Sequence, residues 1–142
     1  MTTSARIIAA TLVAGTLDIL AEMGLTLWFG RQIPAMLRYV ASGPFPAAKE
    51  WGDAGAALGL AVHFTLMAAM AATYVLAADR WGTLKAQPLL WGVLYGVATW
   101  AVMNLVVVPA RFGTFPGTVS IATQLFCHIV LVALPVAFIA RR

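Results

Sequence analysis

Four apolar stretches, each long enough to cross a membrane as a helix, constrain this chain more than any other feature. They run from about Ile7 to Phe29, Asp53 to Ala78, Pro88 to Val108 and Thr118 to Ala140. A helix spanning the ~30 Å hydrocarbon layer needs about 20 mostly apolar residues. It also closes its own backbone hydrogen bonds, which lipid cannot do for it. The pattern predicts an all-α polytopic membrane protein with a single transmembrane domain over residues 1–142. The expected architecture is an antiparallel four-helix transmembrane bundle with both termini on one side. Arg6, Arg31, Arg80, Arg111 and the Arg141-Arg142 pair bracket the stretches, and Trp28, Trp51, Trp81 and Trp91 fall near their boundaries. Interfacial cations and indole rings belong at those positions.

Composition narrows the function classes. Hydrophobic residues make up 62% of the 142 and charged ones 10%, too little charge to clothe the surface of an ordinary soluble enzyme. The same figures exclude a disordered chain. Nine Lys/Arg against five Asp/Glu leave +4, but the basic residues are scattered around the spans, so no nucleic-acid partner is expected. The single cysteine, Cys127, excludes an internal disulfide and any CxxC motif.

Lys/Arg placement leans toward cytoplasmic termini. The terminal side carries five (Arg6, Arg80, Lys85, Arg141, Arg142) and the other side four (Arg31, Arg38, Lys49, Arg111). A signal peptide ending near Gly15 is the alternative for the first stretch, but Asp18 and Glu22 follow too soon and the apolar run continues to Phe29. The connection 30–52 is long for a bundle loop. Pro34 is expected to open a short interfacial helix over about 34–41, ended by Ser42-Gly43-Pro44, either as an anchoring loop or as a lid. Asp79 to Gln87 and Pro109 to Gly117 read as simple turns.

Polar groups inside the spans are few. Each ionisable one costs about 2.5–3.5 kcal/mol on insertion scales, which makes it a functional candidate. They are Asp18 and Glu22 in the first span, His63 in the second and His128 in the fourth, with Asn104 in the third. Thr11, Gly15, Asp18 and Glu22 share a stripe of the first helix at 100° per residue. Gly55, Gly59 and His63 recur every four residues on the second, as Ser120, Gln124 and His128 do on the fourth. Gly92 and Gly96 repeat the small-residue spacing on the third. Such faces let helices approach closely, so the histidines are expected to point into the bundle. Counted along antiparallel spans, Asp18, Glu22, His63, Asn104 and His128 fall in one layer about 10 Å thick, opposite the termini.

Several chemistries would use that layer. Carboxylate with imidazole suits a proton relay. A transition metal could take these imidazoles and carboxylates, His63 and His128 first, with Met67, Met103 or Cys127 as softer ligands, and the two histidine rings could grip a haem iron. No firm metal or cofactor is expected, because no HxxxH, HxxE or HExxH pair occurs on one helix. The plainest alternative is that the acids pair with the histidines and Asn104 to lock helix order. Cys127 reads as an inert buried thiol, since its neighbour His128 points about 100° away. The rings of Trp91, Tyr95 and Trp100 read as space-filling, and Pro135 as a kink through loss of the bond to Leu131. No catalytic motif is present, and the chain does not read as an enzyme.

Gly15-Thr16-Leu17-Asp18-Ile19, Ala41-Ser42-Gly43, Gly59-Leu60-Ala61-Val62-His63-Phe64, Tyr95-Gly96, Met103-Asn104-Leu105-Val106-Val107-Val108-Pro109 and His128 with Leu134-Pro135 together resemble the uncharacterised bacterial four-span inner-membrane proteins of the YagU-like type. The resemblance runs in order along nearly the whole chain. It implies a bacterial inner-membrane location and picks out Asp18, His63, Asn104 and His128, but brings no activity with it. Glu22 and Pro44-Phe45-Pro46 depart from that pattern. The tetrad Ile19-Leu20-Ala21-Glu22 is also similar to the first helix of the small multidrug exporters, which have shorter loops and no paired histidines. The expected function is a small membrane protein that moves or senses protons, a small ion or a solute. The alternative is a non-catalytic accessory subunit of a larger membrane complex; a homo-oligomer fits either.

Overall fold

The computed structural model describes residues 1–142 and is helical throughout, without strands. Four of its helices are long and apolar enough to cross a membrane: α1 (Thr3–Trp28), α3 (Gly52–Arg80), α5 (Pro88–Phe112) and α6 (Thr118–Ala140). At 1.5 Å per residue each is about 34–44 Å long, which exceeds the hydrocarbon thickness and leaves room for tilt. Two shorter helices, α2 (Ile33–Ala41) and α4 (Gly82–Ala86), lie in the connections, and Pro46–Glu50 forms a 3₁₀ turn. Asp79 to Gln87 is therefore no simple turn, because Gly82–Ala86 coils once before Pro88 starts the next span. Glycine in the left-handed region ends α1 at Gly30 and α5 at Gly113, both at φ 67°.

α1 packs on α3 and α6, α6 packs on α5, and α2 packs on α3. Ala10, Ala14, Ala71, Val75, Val132, Val136, Ala137 and Ala140 are the closely packed centre of this arrangement. Small side chains dominate it and let the helix backbones approach closely. The two GxxxG faces serve different partners. A Cβ at Gly92 or Gly96 would strike Leu134, Ala137 and the Ile129 backbone, so these glycines seat α6. A Cβ at Gly59 would run into the Leu37 carbonyl, and one at Gly55 into the Ala48 carbonyl. The second span thus uses its small-residue face to hold the loop, not another span. α2 fills that groove with Leu37 and Ala41, and Ile19 and Ala56 pack beside Leu37.

α5 stands apart from this centre. Only 6% of its most apolar window is buried, against 28–33% for the other three. A Tyr95 hydroxyl donating to the Met70 carbonyl at 2.9 Å and an edge-on Tyr74–Tyr95 contact join it to α3. Its far end clamps the loop: Arg111 donates to the Ser42 and Gly43 carbonyls at 2.8 and 2.7 Å, and Phe112 stacks on Tyr39 at 4.5 Å.

Both α5 and α6 contain a wide π-helical section, Val102–Val107 and Cys127–Ala133, and each ends two residues before a proline, Pro109 and Pro135. Proline has no N–H and its ring crowds the carbonyl four residues earlier. The wider turn shifts bonding to the fifth residue, as when Leu134 N–H donates to the Ile129 carbonyl. The kink expected at Pro135 takes this form, and Pro109 lies inside its helix rather than beyond it.

Candidate functional site

Polar side chains gather in two places. The first is at the end of the molecule where α1 begins and α3 and α6 finish. Arg6 is 6% exposed; it donates to Asp79 at 2.8 Å, to Thr3 at 3.1 Å and to the Ala140 carbonyl at 2.8 Å. Lys85 meets the other Asp79 oxygen at 2.6 Å, and the Thr3 hydroxyl donates to Asp79 at 2.9 Å. One carboxylate here has two cations and a hydroxyl. The sequence marks Arg6 as a flanking charge; the structure makes it a buried tie between three spans.

The second place lies within the spans. Asp18 and Glu22 stand four residues apart on α1 and face α3 and α6. His63 of α3 is 6% exposed, and its Nε2 lies 2.9 Å from the Gly15 carbonyl. A carbonyl can only accept, so Nε2 carries a proton, and in the neutral ring Nδ1 keeps its lone pair. That Nδ1 lies 3.9 Å from Asp18 Oδ2. The approach is possible because residue 15 is glycine: a Cβ there would come within 2.7 Å of the Phe64 ring. Phe64 in turn sets its edge against His63 at 5.3 Å.

From α6, Gln124 donates to Glu22 Oε1 at 2.6 Å. Cys127, one turn further on, brings its Sγ into the same space. Its sulfur and one oxygen each from Asp18 and Glu22 all lie within 4.8 Å of one another. Cys127 is 2% exposed and Asp18 9%, and neither side chain makes a hydrogen bond. No lysine or arginine reaches either acid, in contrast to Asp79.

The layer expected from the sequence is thus narrower than five residues. Asp18, Glu22 and His63 meet, joined by Gln124. His128 faces α5, where its Nδ1 lies 3.3 Å from the Thr99 hydroxyl. The two imidazoles therefore attend different helices, His63 to α1 and His128 to α5. Asn104 donates to the Trp100 carbonyl of its own helix at 3.2 Å, and Thr11 likewise returns its hydroxyl to Ile7 at 2.8 Å. Ser120 is exposed.

Cys127, which reads from the sequence as an inert thiol or at most a softer ligand beside Met67 and Met103, is turned toward the acids, while its neighbour His128 faces α5. The available signal was the spacing of three between Gln124 and Cys127, which puts both on one helix face. No family model, curated protein or solved structure matches this chain.

Proposed function

We propose that the chain is an antiparallel four-span protein of a bacterial inner membrane that moves or senses a proton or small cation at Asp18, Glu22 and His63. In this reading both termini are cytoplasmic, and α2 lies along the opposite interface. One observation carries it: two carboxylates, Asp18 buried and Glu22 half-buried, meet between spans with no basic side chain bonded to either. A carboxylate so placed is costly unless a proton or a cation joins it. The Asp18–His63 approach and the Gln124 bond hold the acids in position to receive one.

Vesicles reconstituted with the pure protein test this. The wild type is expected to dissipate an imposed proton or metal-cation gradient faster than empty vesicles. The paired change Asp18→Asn with Glu22→Gln is expected to remove that difference while leaving the melting temperature in detergent intact. A paired variant as active as wild type, or wild-type vesicles no leakier than empty ones, sinks the proposal.

The accessory-subunit reading draws on a different observation, the 6% burial of α5, whose Leu89, Leu90, Leu94, Val97 and Val102 all face outward. A larger membrane protein recovered with the chain in fixed ratio after mild detergent extraction would favour it. In neither reading is the chain an enzyme.

A further inference from the structure

We infer that Asp18, Glu22 and Cys127, with His63 as fourth donor, form a binding site for one divalent transition-metal ion of the zinc class. This names the cation for the reading above and rests on it.

Three observations converge. First, one donor atom from each of Asp18, Glu22 and Cys127 already lies within 4.8 Å of the others, although they come from two helices. Ligands around a tetrahedral zinc at 2.0–2.3 Å are about 3.4–3.6 Å apart. Closing that gap takes a movement of roughly an ångström among these three; His63 Nδ1, 3.9 Å from Asp18 Oδ2 but outside the group, has further to come.

Second, the donors are held as ligands are held. His63 uses Nε2–H on the Gly15 carbonyl and turns its free Nδ1 toward Asp18. Metal-binding histidines characteristically donate their other N–H to a carbonyl or carboxylate, which fixes both tautomer and ring orientation. Gln124 does the same for Glu22, anchoring Oε1 at 2.6 Å and leaving Oε2 available. Third, Cys127 is 2% exposed, turns its thiol into the shared space and has no hydrogen-bond partner, and the Asp18 side chain beside it, 12% exposed, makes no hydrogen bond either.

The donor set selects the ion. A thiolate disfavours magnesium and calcium, which take oxygen ligands, while two carboxylates disfavour copper(I). One nitrogen, one sulfur and two oxygens suit zinc, and cobalt(II) as its spectroscopic substitute. Two carboxylates and a thiolate bring three negative charges against the ion's two, so the loaded site keeps one, fewer than the two ionised carboxylates carry alone. His128 is outside the set, bonded to Thr99.

The test is a cobalt titration of the purified, chelator-stripped protein in detergent. The expected result is saturation at one equivalent, with the near-ultraviolet band of a thiolate–cobalt bond and the intense visible bands of a tetrahedral site. Zinc should erase both, and millimolar magnesium or calcium neither. Cys127→Ser should remove the near-ultraviolet band, and His63→Gln should weaken binding by about 10–100-fold or more. A wild type without a saturable cobalt spectrum overturns the site, a result that needs no variant to fold. A near-ultraviolet band that persists in Cys127→Ser overturns it equally. The vesicle assay separates the two proposals. Gradient dissipation that depends on Asp18 in a protein that binds no cobalt leaves cation handling standing and removes the metal. Stoichiometric cobalt binding without any gradient dissipation does the reverse.

Discussion

Asp79 and the Asp18–Glu22 pair are carboxylates between helices of the same small protein, yet they are provided for in opposite ways. Asp79 has Arg6 at 2.8 Å, Lys85 at 2.6 Å and the Thr3 hydroxyl, and the Arg6 that holds it also reaches Ala140. Asp18 has an imidazole 3.9 Å away, and Glu22 has one amide. The first arrangement answers the carboxylate from three sides and joins three spans, leaving only Arg6 Nε without a partner. The second is held in place by neighbours that do not neutralise it. The difference teaches that charge between these helices is structural where it is paired and available where it is not.

The comparison can be broken most directly at Arg6. Arg6→Ala removes a buried cation and leaves Asp79 with Lys85 and the Thr3 hydroxyl. Breaking a buried pair costs about 3–5 kcal/mol, and the partial exposure of Asp79 reduces that to about 2–3 kcal/mol here. A large fall in thermal midpoint in detergent is the expected result; an unchanged midpoint would mean the tie is ornamental.

Gly15→Ala examines the other region through packing. The added methyl meets the Phe64 ring and pushes it, with His63, off α1, for a loss of about 1–2 kcal/mol. The histidine ring resonances should shift in NMR spectra, His63 far more than His128. Equal shifts of both rings would contradict the separation described above.

Asp18→Asn should carry the opposite sign. Replacing a buried, uncompensated carboxylate by a neutral amide is expected to leave stability unchanged or raise it by about 1 kcal/mol in chelator at neutral pH. A marked loss of stability in denaturation curves would make Asp18 a structural residue like Asp79. The smallest effect belongs to Lys85→Ala. Its side chain is 36% exposed and screened by solvent, so the midpoint should move by no more than about 0.5 kcal/mol.

The elements were legible in the sequence to within a few residues. The first stretch, read as Ile7 to Phe29, is a helix over Thr3–Trp28, and the helix expected over 34–41 runs Ile33–Ala41. Apolar length and proline or glycine punctuation are local signals, and the backbone obeys them. What the faces touch was less legible. Gly55 and Gly59 announce close approach but not whether a span or a loop helix will come, and here α2 comes. Along α6 a regular 3.6-residue count groups His128 with Gln124, whereas the structure sends Gln124 and Cys127 to α1 and His128 to α5. Arg6 looked like a boundary charge because its partners, Asp79 and Ala140, are remote in sequence. Pairing across such distances leaves no periodic trace.

That remoteness bears on how the protein is made. Arg6 finds its carbonyl on Ala140 and Glu22 its amide on Gln124, 134 and 102 residues further along the chain. In chain order Arg6 meets Thr3 first, Asp79 of α3 next and Ala140 of α6 last, while Glu22 waits for Gln124 of α6. α1 is thus a helix in waiting, and α6 is the element that completes its polar contacts.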